Sequence, residues 1–585
     1  MKEAGKRRLW AAFPFLVVLL LVAFHYQRFL QEQLRPPGPS FGRPLELASS
    51  DMSGSTAAQA APDGDLLVLW SVRGGIDYIL VSPQALVKAR GHIPLQVDTP
   101  TRSPTSLLAG SSALFWLAGP ALTELYWAPL SLSAPSLGSP VHLGGGISMV
   151  RLVSAPPTAG PGAPPTAGPG APPAGGASAL AAAPAARSAG LLAAGPEGLL
   201  WFPLDASGHP GQPQRVPRPG MTLADGVSLA RDRVAVVGVI QERGSFQLEY
   251  LELGGTAGAA HPVLLGEYPL EEHELLRQVR CGTDGEWMYV FVTREKRQRG
   301  NLDITTYWQA WPATRPPAGA AGGLAPLRAT AVAARHILWL AEPDPAPSPQ
   351  GGLPVAFTAL NRGRRGQDED VLVARFLGGR MVDCQFAALT RGAAGQPHLV
   401  PAPAGPAIDD GGYFLTWVDT AGTGRFRLRF TASVPVYRQA MARVRLSDLT
   451  AALGETLAGA FLSYLPFLFA LGWTVPALLV LVAAHAVALN WAEQHPRPLG
   501  ILALGVYLAG KGWLLWRLLH APVLAMRAPP WVTPALTLPI LLGAAGLAGL
   551  TTALRHRDAQ GLARVGRFVL WDVLFTCLFL GPVFR

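Results

Sequence analysis

What most limits the folds open to this chain is a series of paired short runs rich in Val, Leu, Trp, Tyr and Phe, each bounded by Gly, Pro or Asp. Leu66–Trp70 is followed by Tyr78–Val81, Ala113–Leu117 by Glu124–Trp127, and Leu191–Ala194 by Leu199–Leu204. Val234–Ile240 is followed by Phe246–Leu251, and Trp287–Thr293 by Thr305–Ala310. Pro354–Leu360 is followed by Val371–Phe376, and Tyr413–Val418 by Phe426–Phe430. Such runs between turn residues read as strands joined into hairpins. No long helical periodicity breaks the series. The pairs start roughly 45 to 65 residues apart once one insert is set aside, and a period of that order with four short strands per unit marks a β-propeller. The physical reason is that one blade cannot bury both its faces. Blades around an axis cover one another, and the closed ring leaves no long exposed edge. A pair of β-sandwiches is the alternative that the same strands allow.

Several pairs are introduced by a particular turn. Pro62-Asp63-Gly64 precedes Leu66, Asp284-Gly285 precedes Trp287, Ser348-Pro349-Gln350-Gly351 precedes Pro354, and Asp410-Gly411 precedes Tyr413. Gly and Asp supply the left-handed geometry such a turn needs. The pattern resembles the Ser-Pro-Asp-Gly turn of TolB-type and WD-type propeller repeats. It covers four of the seven pairs; Gly110-Ser111-Ser112 and Pro196-Glu197-Gly198 depart from it. The resemblance implies the fold and leaves the activity open, because propellers host many functions.

The insert is a tandem repeat. Ala155–Gly162 reads APPTAGPG, Ala163–Gly170 repeats it, and Ala171–Gly176 is a shortened copy. That composition builds no packed core, so residues 155–186 read as a solvated loop, as does Arg315–Ala325.

The two ends of the chain read differently. Lys2, Lys6, Arg7 and Arg8 precede the apolar run Leu9–Phe24, and His25-Tyr26-Gln27-Arg28 follows in place of a small-residue cleavage site. This is the pattern of an uncleaved signal-anchor with a cytoplasmic N-terminus. Four further apolar runs occupy the last quarter: Leu457–Leu489, Gly500–Leu519, Trp531–Leu554 and Phe568–Val583. The first is long enough for one tilted helix, or for two short ones broken near Pro466 to Pro476. Arg555, Arg557, Arg564 and Arg567 share one loop, and the positive-inside rule puts that loop in the cytoplasm only if the first run is a single helix. The expected topology is therefore about five crossings of the cell membrane, with the C-terminus and the region from Gln27 to about Thr450 outside.

The expected architecture is an all-β extracytoplasmic domain, a β-propeller of about seven blades, plus an α-helical membrane domain. Residues 1–28 form the cytoplasmic N-terminus and anchor, 29–60 a linker, 61–445 the propeller with its insert at 155–186, and 446–585 a membrane domain of four helices.

Composition narrows the function. Only 15% of residues are charged and 49% are hydrophobic, with a mean hydropathy of +0.26, which excludes a wholly disordered chain. The net charge is +10, but the lysines are only Lys2, Lys6, Lys88, Lys296 and Lys511. Arginine in excess of lysine, with 65 Gly and 55 Pro, is what GC-rich coding writes into any protein. The basic residues do not cluster with aromatics as nucleic-acid binding requires, so no nucleic-acid partner is expected. Cys281, Cys384 and Cys577 show no metal spacing and are expected reduced.

No catalytic motif is present: no GxSxG, HExxH, Walker loop or strand–GxGxxG–helix. No catalytic residue, metal site or cofactor is assigned. Glu271-Glu272-His273-Glu274 reads as a solvated acidic turn rather than a metal site. The loops between the paired strands carry Arg73, Arg243, Arg294, Lys296, Arg297, Arg299, Arg362, Arg364 and Arg365. In a propeller these loops share one rim. Clustered arginines grip carboxylates or phosphates, so the rim is a candidate docking surface for an anionic envelope polymer, lipid headgroup or acidic protein face. A solvated rim neutralised by Glu295, Asp368, Glu369 and Asp370 is the plainer reading. His485, Lys511 and Asp572 are polar residues set inside the apolar runs. A Lys511–Asp572 pair holding helices together is preferred to an ion path.

The functional expectation is a membrane-tethered, non-catalytic propeller that binds a ligand or an envelope protein, with the lipid bilayer as a further partner. A propeller hydrolase or lyase acting on envelope polymers, and a transport-associated membrane protein, are the alternatives.

Overall fold

In the computed structural model the described residues are 2–51, 54–61, 63–95, 105–109, 112–132, 134–154, 188–205, 207–230, 233–254, 262–298, 301–315, 323–329, 336–348, 351–363, 366–390, 393–402, 412–420, 424–462, 464–520, 535, 537–555 and 561–580. The chain divides into two compact units. One comprises Pro36–Asn361 and Asp368–Arg443; the other comprises Met1–Arg35, Arg362–Gln367 and Val444–Arg585.

The first unit is a seven-bladed β-propeller. Each expected hairpin is the second and third strand of one blade. Blade 1 runs Thr56–Ala60, Leu66–Val72, Gly75–Val81, Val87–Pro94. Blade 2 runs Thr105–Ala109, Ala113–Ala118, Glu124–Ser131, Val141–Gly144, with the short strand Ser136–Leu137 beside its third. Blade 3 runs Met149–Ser154, Ser188–Gly195, Gly198–Pro203, Gln214–Pro217. Blade 4 runs Met221–Ala230, Arg233–Glu242, Ser245–Leu253, Val263–Pro269. Blade 5 runs Glu274–Thr283, Trp287–Gln298, Asn301–Pro312, Ala325–Pro326. Blade 6 runs His336–Pro345, Leu353–Gly363, Gly366–Leu377, Arg380–Ala388. Blade 7 runs Ala394–Pro401, Tyr413–Thr420, Phe426–Ala432, and its outermost strand is Leu45–Ser50 from the start of the unit.

The first strands of neighbouring blades contact one another all the way round, from blade 1 through blade 7 and back to blade 1. The first strands therefore line the axis and the ring is closed. The second strands are buried on both faces, as Leu66–Trp70 and Ala113–Ala118 show, which explains their unbroken apolar runs. Side chains from facing sheets interlock. Between blades 5 and 6, for example, Phe291 meets Phe357 and Phe376 edge-on at ring separations of 6.0 and 5.2 Å.

The turn chemistry fits this frame. Gly64, Gly285 and Gly351 sit at φ +88°, +97° and +80°, where a side chain is strained. Asp284 shows the accompanying work. Its Oδ1 accepts the amides of Glu286 and Trp287, and its Oδ2 accepts the Tyr289 hydroxyl at 2.6 Å and the amide of Gly378 in blade 6. The turn residue thus ties two blades together. The Asp410-Gly411 turn and the insert 155–186 lie outside the described residues.

The stretch 29–60, expected as a linker, instead supplies two strands. A closing strand is legible only against its partner, which lies at the other end of the unit. Leu45 faces Phe430 and Ser50 faces Phe426 in an antiparallel pairing. Beyond blade 7 the helix α2 (Pro435–Met441) folds back over the junction. Arg43 is buried there; its Nε donates to the Met441 carbonyl and its Nη2 to the Arg443 carbonyl at 2.6 Å. These are unsatisfied carbonyls of a helix end, and a guanidinium is a suitable cap for them. Tyr437 is fully buried against Phe414 and Phe430, and its hydroxyl donates to the Gly64 carbonyl at 2.7 Å and lies 3.3 Å from that of Val81. The helix after blade 7 is thereby pinned to blade 1. Replacing Tyr437 by Phe should cost about 1–2 kcal/mol by leaving buried carbonyls short of a donor. Replacing it by Ala should cost about 3–5 kcal/mol through the cavity. Chemical unfolding of the two variants checks both the order and the gap; equal losses would refute the packing role.

The second unit is helical: α1 (Lys2–Leu34), α3 (Leu446–Leu462), α4 (Tyr464–Val487), α5 (Leu489–Gln494), α6 (Pro496–His520), α7 (Thr537–Arg555) and α8 (Gly561–Leu580). Residues 446–585, expected as four helices, hold six among the described residues. The run Leu457–Leu489 takes in the end of α3 and the whole of α4, and α4 passes through Pro476 unbroken. Among the described residues two helices are long and apolar enough to cross a membrane, at Ala470–Val487 and Pro496–Arg517. This is fewer than the five crossings expected. The apolar part of α7, Leu538–Ala553, is short against the ~20 residues a crossing needs, and α8 carries Arg564, Arg567 and Asp572. Trp473 of α4, Tyr507 of α6 and Val573 and Cys577 of α8 share one buried cluster.

Candidate functional site

The innermost strands carry an unusual number of charges for the centre of a ring. Arg151 is on blade 3, Asp225 on blade 4, Arg277 and Arg280 on blade 5, Glu342 and Asp344 on blade 6, and His398 on blade 7. Arg280 and Asp344 are on the innermost strands of adjacent blades. Interactions then run between neighbours: Asp225 Oδ2 accepts the amide of Cys281 at 2.8 Å, and Arg280 Nη2 lies 3.6 Å from Asp344 Oδ1. His398 Nδ1 is 3.1 Å from Asp344 Oδ2, which also accepts the Leu399 amide at 2.8 Å. Arg151 is close enough to feel Arg280 and Asp344, on blades two and three places away. Blades that are not neighbours can reach one another in this way only through the middle of the ring.

The electrostatics follow from burial and these neighbours. Burial, then the like charge of Arg280, brings Arg151 down to about 9, with Asp225 and Asp344 offsetting part of the shift. Burial pushes Asp225 up, against the pull of Arg280 and Arg151. Burial acts in the same sense on Asp344, but His398, Arg280 and the Leu399 amide outweigh it and hold that carboxyl below its usual range. The Cys281 thiol beside Asp225 is pushed well up by burial and so has little thiolate character. Three residues earlier on the same strand as Arg280, Arg277 is already satisfied: its Nε is 2.5 Å from Glu295 and its Nη1 3.6 Å from Glu342. Glu342 also accepts the Gln396 amide and the Thr358 hydroxyl.

The sequence-nominated rim looks different. Blades repeat one up-and-down order, so turns between second and third strands fall on one face. Arg73 and Arg243 are exposed at two such turns, and Arg297 is 71% exposed while pairing with Glu295 at 2.6 Å. Arg294 is not a free rim cation. Its side chain is 11% exposed, pairs with Glu274 at 3.3 Å, and lies over the rings of Phe246 and Tyr307 at 4.9 and 4.5 Å. Lys296 pairs with Glu271. The acidic turn Glu271-Glu272-His273-Glu274 is therefore the countercharge of blade 5. Among the described residues no group of three or more His, Cys, Asp or Glu is placed to hold a metal. Arg299, Arg364 and Arg365 lie outside the described residues, and of Arg362 only the backbone is described, in blade 6.

In the helical unit Lys511 and Asp572 meet: Nζ lies 2.7 Å from both carboxylate oxygens, with both side chains fully buried. The Tyr507 hydroxyl donates to Asp572 Oδ2 at 2.5 Å. His485 stays local, its Nδ1 2.8 Å from the Leu481 carbonyl one turn back.

One further grouping has the composition of a hydrolytic triad without its geometry. Ser207 Oγ is 2.6 Å from Asp205 Oδ1 and 2.7 Å from His209 Nδ1, and Asp205 also accepts the amides of Ser207 and His209. The aspartate accepts directly from the serine, and one imidazole nitrogen, Nδ1, faces both Ser207 Oγ and, at 3.5 Å, Asp205 Oδ2, so serine and aspartate do not lie on opposite sides of the ring as a triad requires. The three residues close a turn.

The axial charges escaped sequence reading because they are spread over five blades. Each is a lone ionisable residue in a short strand, and only ring closure collects them.

No family model matches the sequence, and no curated protein sequence matches it. Among solved structures, the chain is similar to a protein of unknown function from Dyadobacter fermentans, at 8% identity over 68% of this chain and 99% of that one, with a TM-score of 0.35. It is similar to the β-propeller domain of the Trilobed protease from Pyrococcus furiosus, at 11% identity over 67% and 95%, with a TM-score of 0.34. It is also similar to a periplasmic gluconolactonase from Pseudomonas aeruginosa, at 12% identity over 60% and 100%, with a TM-score of 0.31.

Proposed function

We propose that this chain is a membrane-tethered, extracytoplasmic β-propeller that binds a ligand or an envelope protein partner without turning it over. The observation that carries this reading is the state of the axial carboxylates. Asp344 is taken up by an imidazole, an amide and a guanidinium, and Asp225 by an amide and two guanidinium neighbours. A hydrolytic carboxylate pair needs one member open to water and one poised to give a proton. Paired charges on the inner strands suit recognition better. The basic residues ahead of the apolar part of α1, and the two long apolar helices, support tethering. The exposed Arg73, Arg243 and Arg297 support docking of an anionic face on the rim.

A second reading, a hydrolase or lyase, is favoured by one observation: burial pushes the Asp225 carboxyl up, as a general acid requires. Photo-crosslinking of the full-length protein in its own membranes separates the two. The binding reading expects one stoichiometric adduct that weakens as salt is raised and is lost in the triple variant Arg73→Ser/Arg243→Ser/Arg297→Ser. An unchanged adduct in that variant overturns rim docking. Turnover of an envelope polymer that disappears in Asp225→Asn would favour the enzyme. Protease access to the ring in sealed, right-side-out vesicles tests the extracytoplasmic placement.

A further inference from the structure

The two ends of α6 carry one arrangement twice. At its C-terminal end His520 Nδ1 lies 2.8 Å from the Trp516 carbonyl one turn back, and the two rings are 3.8 Å apart. Just ahead of α6, His495 Nδ1 lies 3.1 Å from the Trp491 carbonyl, and the rings stack at 5.2 Å. Each end adds an exposed arginine: Arg517, whose guanidinium is 5.0 Å from the Trp513 ring centre, and Arg497. Trp513, Trp516 and Trp491 are 58%, 55% and 45% exposed. Tryptophan is highly buried on average in folds that face water, so three open indoles beside cations point to a partner. Between these ends α6 has two unlike faces. Leu499, Ala503, Tyr507, Lys511 and Leu515, four residues apart, are buried, whereas Ile501, Leu502, Gly505 and Ala509 are open. The open face holds no ionisable group from Pro498 to Trp516. The rise from Arg497 to Arg517 is about 30 Å, the hydrocarbon thickness of a bilayer.

We propose that the Trp–His–Arg groups at the two ends of α6 are interfacial anchors that take the phospholipid headgroups of the two leaflets, with the open face of α6 against the acyl chains. Chemistry selects the partner at each level. A guanidinium matches a headgroup phosphate, an indole keeps its apolar body in the chains and its N–H toward water, and the open aliphatic face matches hydrocarbon. The buried Lys511–Asp572 pair then lies about 9 Å inside the Arg517 boundary, off the centre of the bilayer. The inference rests on the tethered reading above and deepens it by naming the residues that set the depth.

The test is nitroxide depth measurement on the full-length protein in vesicles of equal parts phosphatidylcholine and phosphatidylglycerol. Single labels are placed through Gln494→Cys, Leu502→Cys, Ala509→Cys and His520→Cys in a Cys384→Ser background, since Cys281 and Cys577 are buried. Labels at positions 502 and 509 should report hydrocarbon, and labels at 494 and 520 the headgroup level. Adding Trp513→Leu/Trp516→Leu should move the label at 509 by at least about 3 Å, because the anchors of that end are gone. Adding Trp513→Tyr/Trp516→Tyr keeps an amphipathic ring at each position and should hold the original depth, which separates anchoring from a general change in the helix. Labels at 502 and 509 that stay in water would overturn both this inference and the tethered reading. Labels at 502 and 509 in hydrocarbon, with 494 or 520 also in hydrocarbon or with the leucine pair at unchanged depth, would overturn the anchors alone.

Discussion

Charging the closing strand should open the ring. In the double variant Leu45→Asp/Leu47→Asp, two side chains that are 7% and 3% exposed become carboxylates in the cluster shared by blades 7 and 1. Burying an unpaired carboxylate costs more than the strand gains, so the strand leaves and takes its five residue pairings with Phe426–Phe430 away. Two leucines contribute about 1.5–3 kcal/mol each and each net hydrogen bond about 1 kcal/mol. The loss is therefore roughly 6–10 kcal/mol, comparable with the entire stability of an ordinary domain. A fall in the unfolding temperature of at least about 10 °C is expected, with new proteolytic cleavage at the exposed edge of blade 7. The control is Ser49→Asp, on the exposed face of the same strand, which should change stability by less than about 0.5 kcal/mol. A double variant that unfolds with the control would mean that the last blade does not depend on the first strand.

The comparison of sequence with structure turns on which information is local. All seven hairpins were legible because each carries its own signal: a doubly buried second strand, a turn, and a third strand. The first and fourth strands were not, since Thr56–Ala60 reads TAAQA and Ala325–Pro326 is a two-residue strand. Their state depends on neighbours supplied by the fold. The closing strand is the extreme case, because its partner is at the opposite end of the ring. The same distinction explains the sites. Arg294 looked like a rim cation because loop position is local, whereas its two ring contacts and Glu274 come from other strands and a neighbouring blade. The axial charges needed closure before they became a cluster. The helical end was over-read for a related reason: hydropathy marked the runs, while helix ends and charges such as Arg564 and Arg567 reduce which runs can cross a bilayer.

The buried pair of the helical unit should behave as a strongly coupled unit. Lys511 on α6 and Asp572 on α8 are both fully buried, and Asp572 also takes the Tyr507 hydroxyl. Removing one partner strands a charge where neither water nor lipid can solvate it. Asp572→Leu should therefore destabilise by about 3–5 kcal/mol. Lys511→Met should cost less, since Tyr507 still donates to the remaining carboxylate. The double variant Lys511→Met/Asp572→Leu leaves only the tyrosine hydroxyl unmet. It should return to within about 1–2 kcal/mol of the wild type, because apolar replacement of a buried ion pair is often close to neutral. A double-mutant cycle in mixed micelles should thus show a coupling of at least about 2 kcal/mol. Additive losses would mean that the two residues stabilise their helices independently. The cycle also weighs the two roles that an ionisable pair in apolar helices can have. If the pair only joins α6 to α8, the apolar double variant keeps the fold and every binding property of the ring. If it carries ions or protons, the double variant keeps the fold and loses flux in reconstituted vesicles. The surroundings favour the joining role: Trp473, Tyr507, Val573 and Cys577 close an apolar cluster beside the pair, and a Cβ on Gly510 would lie 3.5 Å from that of Trp473. Close packing around a pair whose charges already satisfy one another is what a joint between helices requires.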